Sequence, residues 1–207
     1  MIFGEEPPAI SRLTLTNLSV RRGGRRLFDG LSLELSAGEA CALRGANGAG
    51  KSSLLRAIAG LTPLEAGEVA FGEADPALAR AGGLHLQGHF DGLKPARTAR
   101  EELTFWRRWE GGDEAGLARA VEELDLGPLL DLEIRRLSAG QRRRLALARL
   151  LAAARPLWLL DEPLAPLDAR FRARFTELMA AHLASGGLVL AAVHDPLPGA
   201  VKTLELA

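Results

Sequence analysis

The eight residues Gly45-Ala46-Asn47-Gly48-Ala49-Gly50-Lys51-Ser52 restrict what this chain can fold into more than any other stretch. They fit the pattern G-x-x-x-x-G-K-[ST], in which glycines let successive backbone N–H groups turn into a concave nest for phosphate. Such a loop needs a strand before it and a helix behind it. Both are predicted: Glu39 to Arg44 suits a buried strand, and Leu54, Leu55 and Ile58 recur at helical spacing. In that setting Lys51 reaches the outer phosphates of a nucleotide and the Ser52 hydroxyl ligates Mg²⁺, with Ser53 beside it in the first helical turn. Of the 26 basic residues only Lys51, Lys94 and Lys202 are lysine. A chain that otherwise prefers arginine thus carries a compact ammonium on a flexible stem at the one place that requires it.

Upstream, Leu13 to Val20 and Leu31 to Leu35 alternate apolar and polar residues on either side of Arg21-Arg22-Gly23-Gly24, which predicts two strands joined through a glycine turn. Gly67 to Phe71 and Gly83 to Gln87 read as short strands separated by a helical Asp75 to Ala81. Thr98 to Trp109, Asp113 to Leu124 and Gln141 to Ala154 have helical periodicity and little β-branching. Leu157 to Leu160 and Leu188 to Val193 are buried strands flanking a helix over Asp168 to Leu183. Strands alternating with helices predict an α/β fold with a mostly parallel sheet, a small antiparallel β subdomain and a helical insertion. A single domain, 1–207, would hold a core of about 11–88 and 155–207 and a helical subdomain of about 89–154.

The apolar run Leu157-Trp158-Leu159-Leu160 ends in Asp161-Glu162. At the C-terminal edge of a parallel strand, where ligands bind, Asp161 would hold the Mg²⁺ shell and Glu162 would act as general base toward the attacking water. Composition excludes several other classes. At 47% apolar and 25% charged the chain is neither disordered nor collagen-like. Cys41, the single cysteine, excludes an intramolecular disulfide framework and fits a reducing compartment. The acidic, proline-bearing start lacks the features of a signal peptide, and no apolar run approaches the roughly 20 residues of a spanning helix. Twenty-six acidic against 26 basic residues argue against a non-specific nucleic-acid binder. Arg142-Arg143-Arg144 is read instead as a polar helix face turned toward nucleotide and partner. Phe105, Trp106 and Trp109 are expected to be core aromatics.

With these motifs in order, the chain resembles the ATP-binding-cassette (ABC) ATPases, a P-loop NTPase family, over nearly its whole length. Leu137-Ser138-Ala139-Gly140-Gln141 is similar to the family signature LSGGQ, with Ala139 in place of the first glycine. The resemblance implies that Ser138, Gly140 and Gln141 meet the γ-phosphate held by a second subunit, so that the active unit is a homodimer binding ATP and Mg²⁺. Leu164-Ala165-Pro166-Leu167-Asp168 is similar to the loop that follows the catalytic carboxylates. His194 would be the switch histidine. The family's metal- and partner-sensing glutamine falls on Gln87 or His89, and the spacing before the helical region favours His89. The aromatic that stacks on adenine is absent. Arg22 occupies its place, and its guanidinium can stack on a purine.

Within the family the chain is similar to the haem-exporter ATP-binding subunits of cytochrome c maturation, through Gly88-His89, Gly92-Leu93-Lys94, Thr98 to Trp106 and the signature running into Arg143-Arg144. Glu102 departs from that pattern, which has asparagine. The resemblance implies a peripheral subunit on the cytoplasmic face of a bacterial inner membrane. It would be docked on an integral-membrane permease and work with other cytochrome c maturation proteins. The ATPase of another small importer or exporter, or a soluble ABC factor, would carry the same catalytic motifs.

Overall fold

The computed structural model describes residues 7–193, 197 and 201–206. The elements follow in the order β1 (Arg12–Arg22), β2 (Arg25–Ser36), β3 (Ala40–Arg44), α1 (Lys51–Ile58), β4 (Ala66–Ala70), a one-turn α2 (Pro76–Leu78), β5 (Leu84–Gln87), α3 (Ala99–Glu110), α4 (Glu114–Glu123), α5 (Ala139–Leu147), α6 (Arg149–Ala152), β6 (Leu157–Asp161), α7 (Ala169–Ala184), β7 (Leu188–Ala192) and β8 (Lys202–Glu205). They form two compact units. One comprises Pro7–Leu86, Arg155–Glu162 and the chain from Met179; the other comprises Gln87–Ala154 and Pro163–Leu178.

In the first unit a five-stranded sheet has the order β5-β6-β7-β3-β8, in which β6, β7, β3 and β8 run parallel. Every residue of β6 and β7 is buried, as are Ala40 to Leu43 of β3. These strands read as unbroken apolar runs because both faces of a parallel sheet are covered. The glycine loop leaves the C-terminal end of β3, and Asp161 ends β6. The chemistry-bearing residues therefore share the edge where open parallel sheets bind ligands. The strand β8, unforeseen in the sequence, pairs with β3, and Lys202 Nζ donates to Glu39 Oε2 at 2.6 Å.

A separate antiparallel sheet has the order β2-β1-β4. The buried face of β1 runs Leu13, Leu15, then Leu18 and Val20, a change of parity that a regular strand would turn to solvent. A bulge resolves it: the register shifts between Leu15 and Leu18, and Asn17 adopts φ +49. Across from it a Cβ on Gly67 would lie 2.4 Å from the Asn17 carbonyl oxygen, so that position admits only glycine. The predicted helix over Asp75 to Ala81 is α-helical for three residues and then widens into a π-turn, Ala79–Gly83.

On α7, His182 stacks on Trp158 of β6, with ring centroids 3.9 Å apart and planes at 7°. A Cβ on Gly187 would fall 2.2 Å from the imidazole. Burial lowers the His182 pKa below its usual 6.5, so on acidification the unfolded chain takes up this proton first. The neutral ring's contribution is complete above about pH 6.5 and is lost as pH falls toward the folded-state value. Thermal melts between pH 7 and 5 should therefore show a falling melting temperature whose slope is shallower in a His182→Gln chain. An equal slope in both would remove the assignment.

The second unit is mainly helical. Thr98 and Ser138 begin α3 and α5 with reciprocal capping boxes to Glu101 and Gln141, and Gly111, left-handed at φ +77, stops α3. Helix α4 packs closely on α6; a Cβ on the neighbouring Gly112 would be 2.0 Å from the Ala152 carbonyl oxygen. The helix expected over Gln141 to Ala154 is two helices meeting at Ala148. Two further expectations are corrected. Arg143 and Arg144 are buried and donate to backbone carbonyls within this unit: Arg143 to Gly88 and His89, Arg144 to Leu124 and Asp125. Phe105 and Trp109 are exposed, stacked on one another at 6.1 Å. An arginine triplet and an aromatic triplet do not reveal their burial from type alone, since guanidinium groups fit where carbonyls lack donors.

Candidate active site

Gly45 has φ +135, and a Cβ there would lie 2.3 Å from the carbonyl oxygen of Leu206, whose own N–H donates to Arg44. The C-terminal segment thus presses on the start of the loop, and only glycine permits the approach. Gly50, at φ +103, is the N-cap of α1 and supplies no side chain to it. The N–H groups of the first helical turn are therefore left to a ligand, the arrangement that binds phosphate. A Cβ on Gly50 would be 3.1 Å from Leu27 Cβ and 3.2 Å from Phe28 Cδ1, so the β1–β2 hairpin abuts the loop. Lys51 is buried, and its Nζ donates to the carbonyls of Gly45 at 2.7 Å and Ala46 at 3.1 Å. Its ammonium sits within the curve of the loop. Ala46, Asn47, Gly48 and Ala49 complete that curve, and Gly48 is at φ +85. Ser52 is exposed and Ser53 buried in the first turn of α1.

Asp161 is 6% exposed at the end of β6. Glu162 follows in the left-handed region at φ +51, held by its N–H donating to Ala192 O at 2.9 Å. A non-glycine residue there costs about 1–2 kcal/mol. The turn redirects the chain immediately after the buried strand, and the half-buried Glu162 carboxylate is carried off the strand axis with it. Ser52 hydroxyl and Asp161 carboxylate are the hard oxygen donors that suit Mg²⁺. Among the described residues no cluster of three or more His, Cys, Asp or Glu forms a protein cage. A donor set this sparse suits a metal that keeps waters and phosphate oxygens in its shell.

Arg22, the last residue of β1, is exposed beside the Gly23-Gly24 turn, opposite Arg25 in the β1–β2 ladder. Its neighbours Arg21 and Arg26 both bond Glu65. Gln87 and His89 differ sharply. Gln87 ends β5 fully buried, its Oε1 accepting from Arg149 Nη2 at 3.2 Å and its Nε2 donating to Gly88 O at 3.2 Å. His89 is exposed, edge-on to Phe90. Ser138 and Ala139 are exposed at the start of α5. Ser138 Oγ accepts from Gln141 N–H, and Gln141 Oε1 accepts from Ser138 N–H at 2.8 Å. A Cβ on Gly140 would be 3.0 Å from Pro166 O, which brings the 164–168 loop against the signature. His194 lies outside the described residues. The sequence gives no signal for the roles of Arg143 and Arg149, whose helical periodicity is that of any amphipathic segment.

The ABC transporter family profile matches residues 28–165. The chain is 50% identical to the cytochrome c biogenesis ATP-binding export protein CcmA of Rhodopseudomonas palustris strain BisB18, over 94% of this chain and 98% of that one. It is 43% identical to the protein of the same name from Brucella abortus strain 2308, over 93% and 90%. Among solved structures, a putative ABC transporter ATP-binding protein from Pyrococcus furiosus superposes with a TM-score of 0.83, at 19% identity over 95% of this chain and 98% of that one. An ATP-binding subunit of an ABC transporter gives 0.78 at 24% identity over 88% and 79%. These two likenesses concern the fold.

Proposed function

The chain belongs to the ABC transporter family and is an ATP-binding, ATP-hydrolysing enzyme, and from that premise we propose that it is the motor of a bacterial inner-membrane complex of cytochrome c biogenesis. The observation that carries this reading is identity of 43–50% to CcmA proteins across about nine-tenths of the chain.

The reaction is ATP plus water to ADP plus phosphate. The loop N–H groups and Lys51 neutralise and orient the phosphates, and Glu162 accepts the proton of the attacking water as its oxygen bonds to the γ-phosphorus and the bond from that phosphorus to the β–γ bridging oxygen breaks, releasing ADP. Mg²⁺, held by Ser52 and Asp161, would supply charge neutralisation at the phosphate oxygens. His194 and Gln87 are the further residues that the family resemblance assigns to this site. Of the two alternatives, the buried amide of Gln87 at a strand end is favoured over the exposed His89. Arg22 stacks on adenine in this reading, so Arg22→Ala should weaken ATP binding several-fold in a fluorescence titration; unchanged affinity would dismiss it.

The exposed start of α5 at Ser138 and Ala139 suits a phosphate held by a second copy, which makes the working unit a homodimer. No helix among the described residues is long and apolar enough to cross a membrane, and transport then requires a permease partner. Phe90, 86% exposed, and the exposed pair Phe105 and Trp109 are among the apolar side chains available to it. This reading puts the chain on the cytoplasmic face, delivering the energy of ATP to haem export or to release of a haem-loaded chaperone. Deletion in the source organism should abolish haem-stained c-type cytochromes, with rescue by the intact chain and none by Glu162→Gln. Persisting cytochromes alongside a different uptake or efflux defect would transfer the chain to another transporter.

A further inference from the structure

The chain has two asparagines, Asn17 and Asn47, both exposed. Asn17 lies in the β1 bulge and precedes Leu18, which is buried and paired with Leu31 of β2, and its Oδ1 faces Ser32 Oγ at 3.5 Å. Asn47 precedes a glycine. The Ala49 N–H donates to Ala46 O at 3.1 Å, closing a turn whose two central residues are Asn47 and Gly48, the second at φ +85. Among the described residues the Asn47 amide has no hydrogen-bond partner, and the Gly48 N–H donates to no carbonyl. A Cβ on Gly48 would meet nothing within 4 Å, so the turn stands open to water. Inside the same loop sits the Lys51 ammonium, bonded to Gly45 O and Ala46 O. All of these residues belong to one compact unit.

An asparagine followed by glycine is open to internal attack, because the glycine has no side chain to bar its own nitrogen from the asparagine Cγ. The positive field that this loop offers phosphate, from Lys51 and the N–H groups at the start of α1, also favours loss of the Gly48 amide proton. We propose that Asn47 is a modification site: in the loop without nucleotide it cyclises onto Gly48 and hydrolyses to a carboxylate that weakens ATP binding, and bound nucleotide prevents this. The Gly48 N–H gives its proton to solvent and the nitrogen bonds to Asn47 Cγ. The Cγ–Nδ2 bond then breaks, and ammonia leaves with a proton taken from water. Water opens the cyclic imide at either carbonyl carbon. Addition at Cγ gives an aspartyl residue, while addition at the Asn47 backbone carbon gives an isoaspartyl residue whose main chain runs through Cγ. The net change consumes one water, releases one ammonia and involves no oxidant or reductant. Either product sets a negative charge on the rim of an anion site, and the second also lengthens the backbone of the nest. Phosphate held in the nest engages its N–H groups and neutralises Lys51, removing both the nucleophile and the field.

The test ages the chain for days at mildly alkaline pH, with and without Mg²⁺ and ATP, in a Glu162→Gln background where the nucleotide is not consumed. Trypsin cuts after Arg44 and Lys51, so mass spectrometry of the peptide 45–51 reads conversion of Asn47 as a gain of about one dalton. The peptide 13–21 reports Asn17 in the same digest. Conversion at Asn47 should outrun that at Asn17 by about 10-fold or more. ATP at about 100 times its Kd leaves about 1% of the loops empty and should slow conversion by at least about 10-fold. Chains aged without nucleotide should lose ATP affinity in step with the mass gained, and Asn47→Asp made directly should bind ATP about 10-fold more weakly than the parent. Asn47→Gln, whose longer amide closes a less favourable ring, should gain no mass at this peptide. Conversion no faster at Asn47 than at Asn17, equal rates with and without ATP, the same gain in Asn47→Gln, or parent-like ATP affinity in the converted chain would each overturn the proposal. Protection by nucleotide rests on the phosphate-loop reading, which the ATP affinity of the fresh parent chain tests separately.

Discussion

Glu162→Gln should leave ATP bound and slow its hydrolysis by about 10²–10⁴-fold, the range expected when a general base is removed. The amide is isosteric with the carboxylate, so packing at the half-buried position is retained. Lys51 and the loop N–H groups are untouched, and the loss should appear in kcat with little change in KM. The backbone sharpens the interpretation. Glu162 sits at φ +51, secured by its N–H to Ala192 O, a conformation that glycine adopts without strain. Glu162→Gly should therefore be at least as stable as the parent while also losing turnover. A pair of variants with parent-like melting temperatures and lost hydrolysis separates chemistry from folding. Turnover within about threefold of the parent in Glu162→Gln would mean that another group takes the proton. In the homodimer reading, ATP should also drive the Glu162→Gln chain into a dimer visible by size-exclusion chromatography.

Much of the fold was legible because the parallel strands are buried on both faces. Leu157 to Asp161 and Leu188 to Ala192 need no alternation to be recognised as strands, since nothing polar interrupts them. The glycine loop carried its own context. By contrast, β8 is a four-residue edge strand of Lys, Thr, Leu and Glu; what makes it a strand is the exposed rim of β3, a tertiary partner that composition cannot reveal. The π-turn at Ala79–Gly83 and the break at Ala148 are likewise decided by packing. Two readings of side chains failed for one physical reason. Arg143 and Arg144 were expected to face ligand, yet they donate to carbonyls of the loop after β5 and of the turn after α4. Both supply donors where loop backbones lack them, a need that arises only when the segments meet.

Between Gln87 and His89, spacing favours His89, and the structure adds burial, which spacing cannot count. Gln87 ends a strand with both ends of its amide engaged, whereas His89 lies exposed two residues further on. Glu162 was legible as an acid following an acid, but its left-handed backbone was not, because nothing in Asp161-Glu162-Pro163 demands positive φ.

Lys51→Ala should abolish hydrolysis and weaken ATP binding by at least 10-fold. The ammonium is buried within the loop, bonded to the carbonyls of Gly45 and Ala46. Removing it subtracts the point charge that meets the phosphates and also strips two loop carbonyls of their donor. A thermal-shift assay reads the binding directly. A ligand at about 100 times its Kd adds about 2.7 kcal/mol of stability, which for a chain of this size is roughly 5–10 °C. The parent should show that rise with ATP and the Lys51→Ala chain, at the same ATP concentration, about half of it or less. Lys51→Arg decides what the site requires. If charge alone mattered, arginine, used at 23 of the 26 basic positions, would serve. A guanidinium is broad and planar, though, and a loop that brings its carbonyls to 2.7 and 3.1 Å around a single nitrogen has no room to present the fork to phosphate. Lys51→Arg should thus fail to restore hydrolysis; restoration to within about threefold of the parent would show that the loop selects charge and not shape.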